Sequence, residues 1–302
     1  MINPPRIHPK LWGRPSVYQP LDIAYTAAYL EKNHEVKIID APGEGWNLLQ
    51  ELNETNYRQG ISNEEIANRV RQWQPEIVGI TAPFSGWWSS TKEVISAIKG
   101  ADENSTIVVS GLHPSARPKE CLEDPDVDFA IIGEPEQTTL ELVNALEQSS
   151  KKLETIKGIG FAKKDKVIIT DKRPPIEDLD SLPFPARHLL PMATYFSAAH
   201  QIPLRGEINK PWAMMITSRG CPYNCVFCTI HNVMGRKWRG RSPQNVIAEI
   251  ENLVETFGVK QFDFFDDNMM LDKKRGGEIC DLIVKEKLKI EWFTPNGVRL
   301  TH

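Results

Sequence analysis

Residues 213–228 read Ala213-Met214-Met215-Ile216-Thr217-Ser218-Arg219-Gly220-Cys221-Pro222-Tyr223-Asn224-Cys225-Val226-Phe227-Cys228. An apolar run of strand type, 213–217, passes directly into a loop whose three cysteines are spaced C-x3-C-x2-C. Gly220, Pro222 and Asn224 let the backbone wrap tightly around a metal centre. Thiolates are soft ligands that suit iron–sulfur clusters and zinc. Three on one loop can hold three irons of a cubane and leave the fourth open to a non-protein ligand. His231 stands three residues after Cys228, so a Cys3His zinc site is the competing reading at this point. Cys121 and Cys280 stand alone, and an odd total with one tight cluster argues for a metal site in a reducing compartment, not a disulfide framework.

Downstream, Ser242 is an N-cap and Pro243 the first residue of a helix over 243–257. Val246, Ile250, Leu253 and Phe257 form its apolar face, and Gly258 stops it. A strand at 261–265 ends in Asp266-Asp267-Asn268; a helix over 272–287 and a strand at 290–293 follow, before Asn296 and Arg299. This alternation begins a β/α barrel or a second parallel sheet.

Upstream, strands are predicted at 36–40, 77–81, 107–111 and 129–133, and helices at 21–32, 62–74, 89–99, 114–122 and 136–148. Ser62 with Glu65 makes a capping-box pattern. Short apolar runs separated by helices imply an α/β fold, a doubly wound parallel sheet over residues 1–150. Ligands of such sheets sit outside the C-terminal strand ends. Those ends carry Thr81, then Ser110-Gly111-Leu112-His113, then Gly133-Glu134. Only Met1-Ile2 precede Asn3-Pro4-Pro5, so the first strand is either very short or missing. Residues 151–205 form a connector with a β-hairpin around KKDK and a proline-rich segment anchored by Leu179, Leu182 and Phe184. The third region is 206–302.

The 302 residues carry 36 Lys+Arg against 40 Asp+Glu, a net charge of −4, with 40% hydrophobic and 25% charged residues. That excludes a disordered chain and a disulfide miniprotein, and argues against a general nucleic-acid binder. No apolar run approaches the ~18–20 residues a membrane span needs, and the N-terminus lacks the apolar core of a signal peptide. A cytoplasmic location is expected.

The cysteine loop, with Phe227 before its last cysteine and a strand ahead of it, resembles the radical S-adenosylmethionine (radical SAM) superfamily. More narrowly the chain resembles the subgroup with an N-terminal cobalamin-binding domain. The carrying segments are NPP at 3–5, AAYLEKNHEVKIIDA at 27–41, PEIVGIT at 75–81, SGLHPSARP at 110–118, VDFAIIGEPEQT at 127–138 and LDSLPFPAR at 179–187. The resemblance implies a cobalamin-binding-like sheet followed by the first part of a radical SAM partial β/α barrel. It implies a 4Fe–4S cluster on Cys221, Cys225 and Cys228, whose electron cleaves S-adenosylmethionine to a 5′-deoxyadenosyl radical. It also implies S-adenosylmethionine contacts at Phe227, Asp266, Asp267, Asn268, Asn296 and Arg299. Where many members carry Gly-Gly-Glu this chain has Asp266-Asp267-Asn268; its Gly276-Gly277-Glu278 falls in a predicted helix. Cobalamin contacts are expected at Thr81, Ser110, Gly111, His113, Gly133 and Glu134. No histidine sits in an Asp-x-His-x-x-Gly pattern, so none is expected as a lower ligand to cobalt.

The function implied is methyl transfer to an unactivated carbon of a small-molecule substrate, with flavodoxin or ferredoxin as electron donor. One alternative is a radical SAM enzyme without cobalamin, acting in tRNA methylthiolation or cyclisation and holding RNA through Arg236, Lys237 and Arg239 of the basic run at 235–241. The other is a non-catalytic zinc-stabilised binding protein. A full eight-unit barrel takes ~250 residues, whereas Ala213 to His302 suffices for about three units. The chain is therefore expected to be a fragment of a longer protein, with an unpaired edge at its third strand.

Overall fold

The computed structural model describes residues 1–13, 16–148, 152–164, 166–198 and 211–298. Arg299 lies outside them. One seven-stranded sheet runs in the order Lys166–Ile169, Ile159–Lys163, Phe129–Ile131, Thr106–Ser110, Ile77–Thr81, Ile2–Asn3, Ile39–Asp40. From Phe129–Ile131 onward all pairs are parallel, while the hairpin strands Ile159–Lys163 and Lys166–Ile169 are antiparallel. The predicted hairpin thus extends the first sheet.

Val78, Ile80, Ile107 and Val109 point to one face and pack under the helices Asn63–Trp73 and Trp88–Ala101. Val108, Phe129 and Ile131 point to the other face, with Leu142 of helix Pro135–Glu147. A parallel sheet covered on both faces has to be apolar in both parities. The chain order reverses between Ile2–Asn3 and Ile77–Thr81, which puts the switch-point crevice outside Asn3 and Thr81.

Local signals hold where the chemistry is local. Ser62 accepts a hydrogen bond from the Glu65 N–H and Ser242 one from the Asn245 N–H, each at 3.1 Å. Gly258, at φ +66°, ends the helix Pro243–Phe257. Of the two alternatives for the first strand the short one holds, at Ile2–Asn3, whereas the strand predicted over 36–40 is confined to Ile39–Asp40. The helical stretch predicted over 114–122 is two helices, Leu112–Ala116 and Pro118–Leu122, because the residue before a proline is driven from helical geometry, and Arg117 sits at φ −135°. A small antiparallel sheet of Arg6–Pro9, Asn56–Gln59 and Leu49–Glu51 was not anticipated.

The second half begins with three parallel strands, Trp212–Met215, Gln261–Phe264 and Glu291–Phe293. Ala213, Met215, Phe262 and Phe264 pack against Val246, Ile250 and Leu253 of Pro243–Phe257 and against Ile279 of the helix Lys273–Lys285. Glu291–Phe293 forms the edge, and its side chains are exposed. A buried carboxylate joins these parts. Glu249 accepts from Arg187 of the connector at 2.6 Å and from Arg241 of the basic run. Arg187 also donates to the Met214 carbonyl and Arg241 to the Ile216 carbonyl, so both guanidiniums grip the first strand of the second sheet or its end. Burial alone would raise the Glu249 pKa, but Arg187 and Arg241 hold it below the ordinary carboxylate value. Glu249→Gln leaves two buried cations undercompensated and is expected to cost about 3–5 kcal/mol in urea denaturation. Glu255→Gln, on the exposed side of the same helix, should stay within about 0.5 kcal/mol.

Candidate cofactor face

Thr217 leads the second sheet into the cysteine loop, and a buried carboxylate fixes that exit. Asp266, at the end of the neighbouring strand, accepts from the Thr217 N–H at 3.1 Å, the Thr217 hydroxyl at 2.8 Å and the Ser218 hydroxyl. Arg275 donates to the Thr217 carbonyl at 2.7 Å. Ser218–Arg219 then pairs antiparallel with Arg239–Gly240, closing the loop that holds the cysteines into a long hairpin. Gly220 turns at φ +83°, and a Cβ there would sit 2.3 Å from the Lys237 carbonyl oxygen, so the approach demands glycine.

Within the loop, Cys228 N–H donates to the Cys225 carbonyl at 3.0 Å and Cys221 N–H to the Gly235 carbonyl at 3.4 Å. Cys225 is exposed and Cys221 and Cys228 are half-buried. Among the described residues no three His, Cys, Asp or Glu side chains are drawn together as a metal-ligand group. The donor chemistry nevertheless fits an iron–sulfur cluster: three thiols on one loop beside fully exposed Val226 and Phe227, 85% exposed, which no other part of the described chain covers. Phe227 therefore lies away from the apolar core.

The acidic strand end divides into occupied and open groups. Asp266 is saturated. Asp267 is pushed up to about 6 by burial and by Asp266, with His231 partly opposing. Asn268 is buried, gives its carbonyl to the Trp238 indole N–H at 3.0 Å, and has a side-chain oxygen without a hydrogen-bond partner among the described residues. Both ring nitrogens of His231 are in the same condition. Asn296 donates its amide to the carbonyls of Phe265 and Asp266 at 3.2 Å, tying the third strand's exit to the second's.

On the first sheet, Thr81 donates its hydroxyl to Asp22 at 2.5 Å. Ser110 is buried and its carbonyl accepts from the Ala82 N–H. Gly111, at φ +113°, lies so close to the Ala82 carbonyl that a Cβ would approach within 2.8 Å. His113 is buried, with Nδ1 2.9 Å from the Ser85 hydroxyl and its ring on Trp88, while its enclosed Nε2 lies 4.0 Å from a Glu120 carboxylate oxygen and has no hydrogen-bond partner among the described residues. Gly133, at φ +92°, is an open cradle: the one atom near a Cβ there would be the Val233 carbonyl oxygen at 3.9 Å.

That contact is one point where the two halves meet. The turn Ile230–Asn232 of the cysteine loop lies against the helix Leu112–Ala116. Four buried charges lock the meeting. Arg219 reaches Glu136 at 2.6 Å and Glu134 at 3.9 Å, and Arg239 reaches Glu134 at 2.6 Å. Glu134 also accepts from the Ile176 N–H at 2.8 Å. Burial pulls the Arg219 pKa down, but Glu136 and Glu134 more than reverse it. The Glu134 carboxylate is thus engaged in ion pairs; Arg239, a residue the alternative reading gives to RNA, is instead its buried partner, and Arg219 joins the site with no signal of its own in the sequence. The basic run is likewise structural: Arg239 and Arg241 are buried, Lys237 pairs with Glu177, and Arg236 holds Asn224.

A switch-point α/β sheet joined to strands that deliver a three-cysteine loop defines a two-part α/β protein with a thiol-bearing loop at the junction. The B12 binding domain family matches residues 14–143 and the radical SAM superfamily residues 215–301. The chain belongs to the radical SAM superfamily and carries a B12 binding domain ahead of its radical SAM domain. It is 34% identical over 280 residues to an uncharacterised methyltransferase of Pyrococcus horikoshii, covering 92% of this chain and 55% of that protein. Cytidylyl-2-hydroxyethylphosphonate methyltransferase of Streptomyces wedmorensis is 30% identical over 311 residues, with 95% and 57% covered. Anaerobic magnesium-protoporphyrin IX monomethyl ester cyclase of Rubrivivax gelatinosus is 30% identical over 281 residues, with 91% and 46% covered. The chain therefore spans about half the length of the curated relatives it matches. Among solved structures, the cobalamin-dependent S-adenosylmethionine radical enzyme OxsB, with aqua-cobalamin and S-adenosylmethionine bound, shares the fold at a TM-score of 0.74 and 20% identity, covering 96% of this chain and 37% of that one. The radical S-adenosylmethionine methyltransferase TsrM of Kitasatospora setae gives 0.68 at 16% identity, covering 95% and 50%.

Two outcomes are expected. Glu134→Gln should cost about 3–5 kcal/mol in urea denaturation and speed amide exchange across 220–238, because Arg239 loses its buried partner. Asp267 has a folded pKa above its ordinary value, so its contribution to stability is full below pH 3.8 and is lost as pH rises through about 6. Asp267→Asn should flatten melting temperature against pH across that window and stabilise the cofactor-free chain at pH 7 by on the order of 1–2 kcal/mol.

Proposed function

We propose that this chain is the cofactor-binding part of a cobalamin-dependent radical SAM methyltransferase acting on a small molecule. The observation that carries the reading is the juxtaposition of the cysteine loop and the C-terminal end of the first sheet, held by Arg219–Glu136 and Arg239–Glu134. When bound, a 4Fe–4S cluster with S-adenosylmethionine supplies radical chemistry and cobalamin supplies methyl transfer. Cys221, Cys225 and Cys228 are the thiol donors for the cluster. Asp266 acts as a positioning residue that sets the exit of the loop, since its oxygens are taken by Thr217 and Ser218. Asp267 and the free side-chain oxygen of Asn268 are the groups left to meet the charged end of S-adenosylmethionine. Gly111 and Gly133 keep the sheet end clear for the flat face of a corrin, without a histidine ligand. Exposed Cys225 and its apolar neighbours are where a small electron carrier, flavodoxin or ferredoxin, would approach.

The 30% identity to a porphyrin ester cyclase supports a second outcome of the same cofactor pair, ring formation. A product that gains no methyl group would select it.

Anaerobic reconstitution with iron, sulfide and cobalamin tests the assignment. About four irons per chain are expected, lost in Cys225→Ala. Corrin should be retained by the unaltered chain and by Cys225→Ala, and lost in Gly133→Leu, which fills the cradle but leaves the iron. Zinc in place of iron, with no corrin retained, would overturn the reading.

A further inference from the structure

The two strands that border the switch point hand the chain to the same corner. It leaves Ile2–Asn3 through Pro4-Pro5 into Arg6–Pro9, and leaves Ile77–Thr81 through residues 82–87. These exits are fastened together. The Trp87 indole N–H donates to the Ile7 carbonyl at 3.2 Å, and the Ser90 hydroxyl to the Pro5 carbonyl at 2.5 Å. Arg6 lies in this corner with its guanidinium carbon 5.0 Å from the centre of the Trp87 ring. Phe84, 54% exposed, stands edge-on to the same indole at 5.0 Å.

Six arginines among the described residues are buried, and five of them are held. Arg187, Arg219, Arg239, Arg241 and Arg275 each donate to a carboxylate or a carbonyl. Arg6, 8% exposed, makes no hydrogen bond or ion pair with any described residue, and its Nε is fully enclosed. The acids around it are already engaged. Asp40 accepts from the Asn3 amide at 2.6 Å and from the Tyr195 hydroxyl, and Asp22 accepts from the Thr81 hydroxyl at 2.5 Å. Asn3 and Thr81 end the two strands, so Arg6 and both acids sit at the crevice itself. Burial pulls the Arg6 pKa down, and Asp40 and Asp22, within electrostatic reach, do not restore it. A ligand in the crevice that brings oxygen acceptors would use N–H groups that no described residue uses.

Charge selects the kind of acceptor. Burial pushes Asp40 up to about 6, so it is mostly ionised at pH 7, and with Asp22 it sets two carboxylates against one guanidinium. His8, its ring edge-on to Trp87 at 5.9 Å, is brought down to about 4 by burial and by Arg6, and adds no positive charge. A phosphate or carboxylate would put a third negative charge in this corner, whereas a neutral carbonyl oxygen takes the donors without one. A corrin offers such oxygens on the carboxamide arms of its rim.

We propose, on the cobalamin reading given above, that Arg6 is a cobalamin-binding residue that donates from the switch-point crevice to neutral carboxamide oxygens at the rim of the corrin.

The test is corrin affinity of the reconstituted chain for cobalamin and for cobinamide, which keeps carboxamide arms but lacks the nucleotide and its phosphate. Arg6→Met retains length and contact with Trp87 without the donors. It is expected to weaken both corrins by on the order of 10- to 100-fold. Without corrin the same variant should melt no lower than the unaltered chain, because it removes a buried charge that lacks a partner. Unchanged affinity in Arg6→Met would overturn the proposal. So would a loss confined to cobalamin, which would give Arg6 to the phosphate, or a lower melting temperature of the corrin-free variant, which would make Arg6 structural. An unaltered chain that binds neither corrin would instead sink the cobalamin reading, and the role of Arg6 with it.

Discussion

Two carboxylates and two guanidiniums buried together, Glu134 and Glu136 against Arg219 and Arg239, hold the rest of the arrangement in place. Charges in a protein interior are costly unless each finds a partner and its remaining hydrogen-bonding capacity is used. Here the signs balance; Glu136 Oε2, Arg219 Nη1 and Arg239 Nε have no hydrogen-bond partner among the described residues, but Glu134 also takes the Ile176 N–H while Arg239 also gives to the Ile176 and Met234 carbonyls. Such bonds are directional. Apolar contacts between the same surfaces would tolerate sliding, whereas these four side chains admit one register between the cysteine loop and the end of the first sheet.

A second buried cluster, of three charges, repeats the device at the next junction. Glu249 with Arg187 and Arg241 ties the connector and the far strand of the loop hairpin to the first strand of the second sheet. Tyr25, from the helix Leu21–Leu30 of the first half, joins it through its hydroxyl 3.3 Å from Arg241. Arg239 and Arg241 of the basic run that in isolation suggests a nucleic-acid contact are therefore spent inside the molecule, on positioning, while Arg236 and Lys237 pair at its surface.

Near the acidic strand end the polar groups fall into two populations. Asp266 and Asn296 have their partners within the chain. Asp267, the Asn268 side-chain oxygen and the His231 ring are buried or partly buried with capacity left over. Unused polar capacity destabilises a fold, and a polar ligand bound beside the cysteine loop would use what Asp267, Asn268 and His231 leave over.

The sequence determined by itself whatever short-range chemistry decides. Ser62 and Ser242 cap their helices because a hydroxyl reaches a backbone N–H three residues on, and alternating apolar runs with helices between them specify a parallel sheet. The C-x3-C-x2-C spacing likewise marked the loop, because its donors lie within one turn of chain. Val36 to Ile38 misled because a strand is made by its neighbour as well as by its own residues. Tertiary structure alone decided that Glu134 is an ion-pair partner, that His113 is enclosed by Ser85 and Trp88, and that Asp266 holds Thr217 and Ser218 while Asp267 keeps its capacity. Partners dozens of residues apart leave no periodic trace, and only the packed chain determines which carboxylate meets a guanidinium and which is left for a ligand.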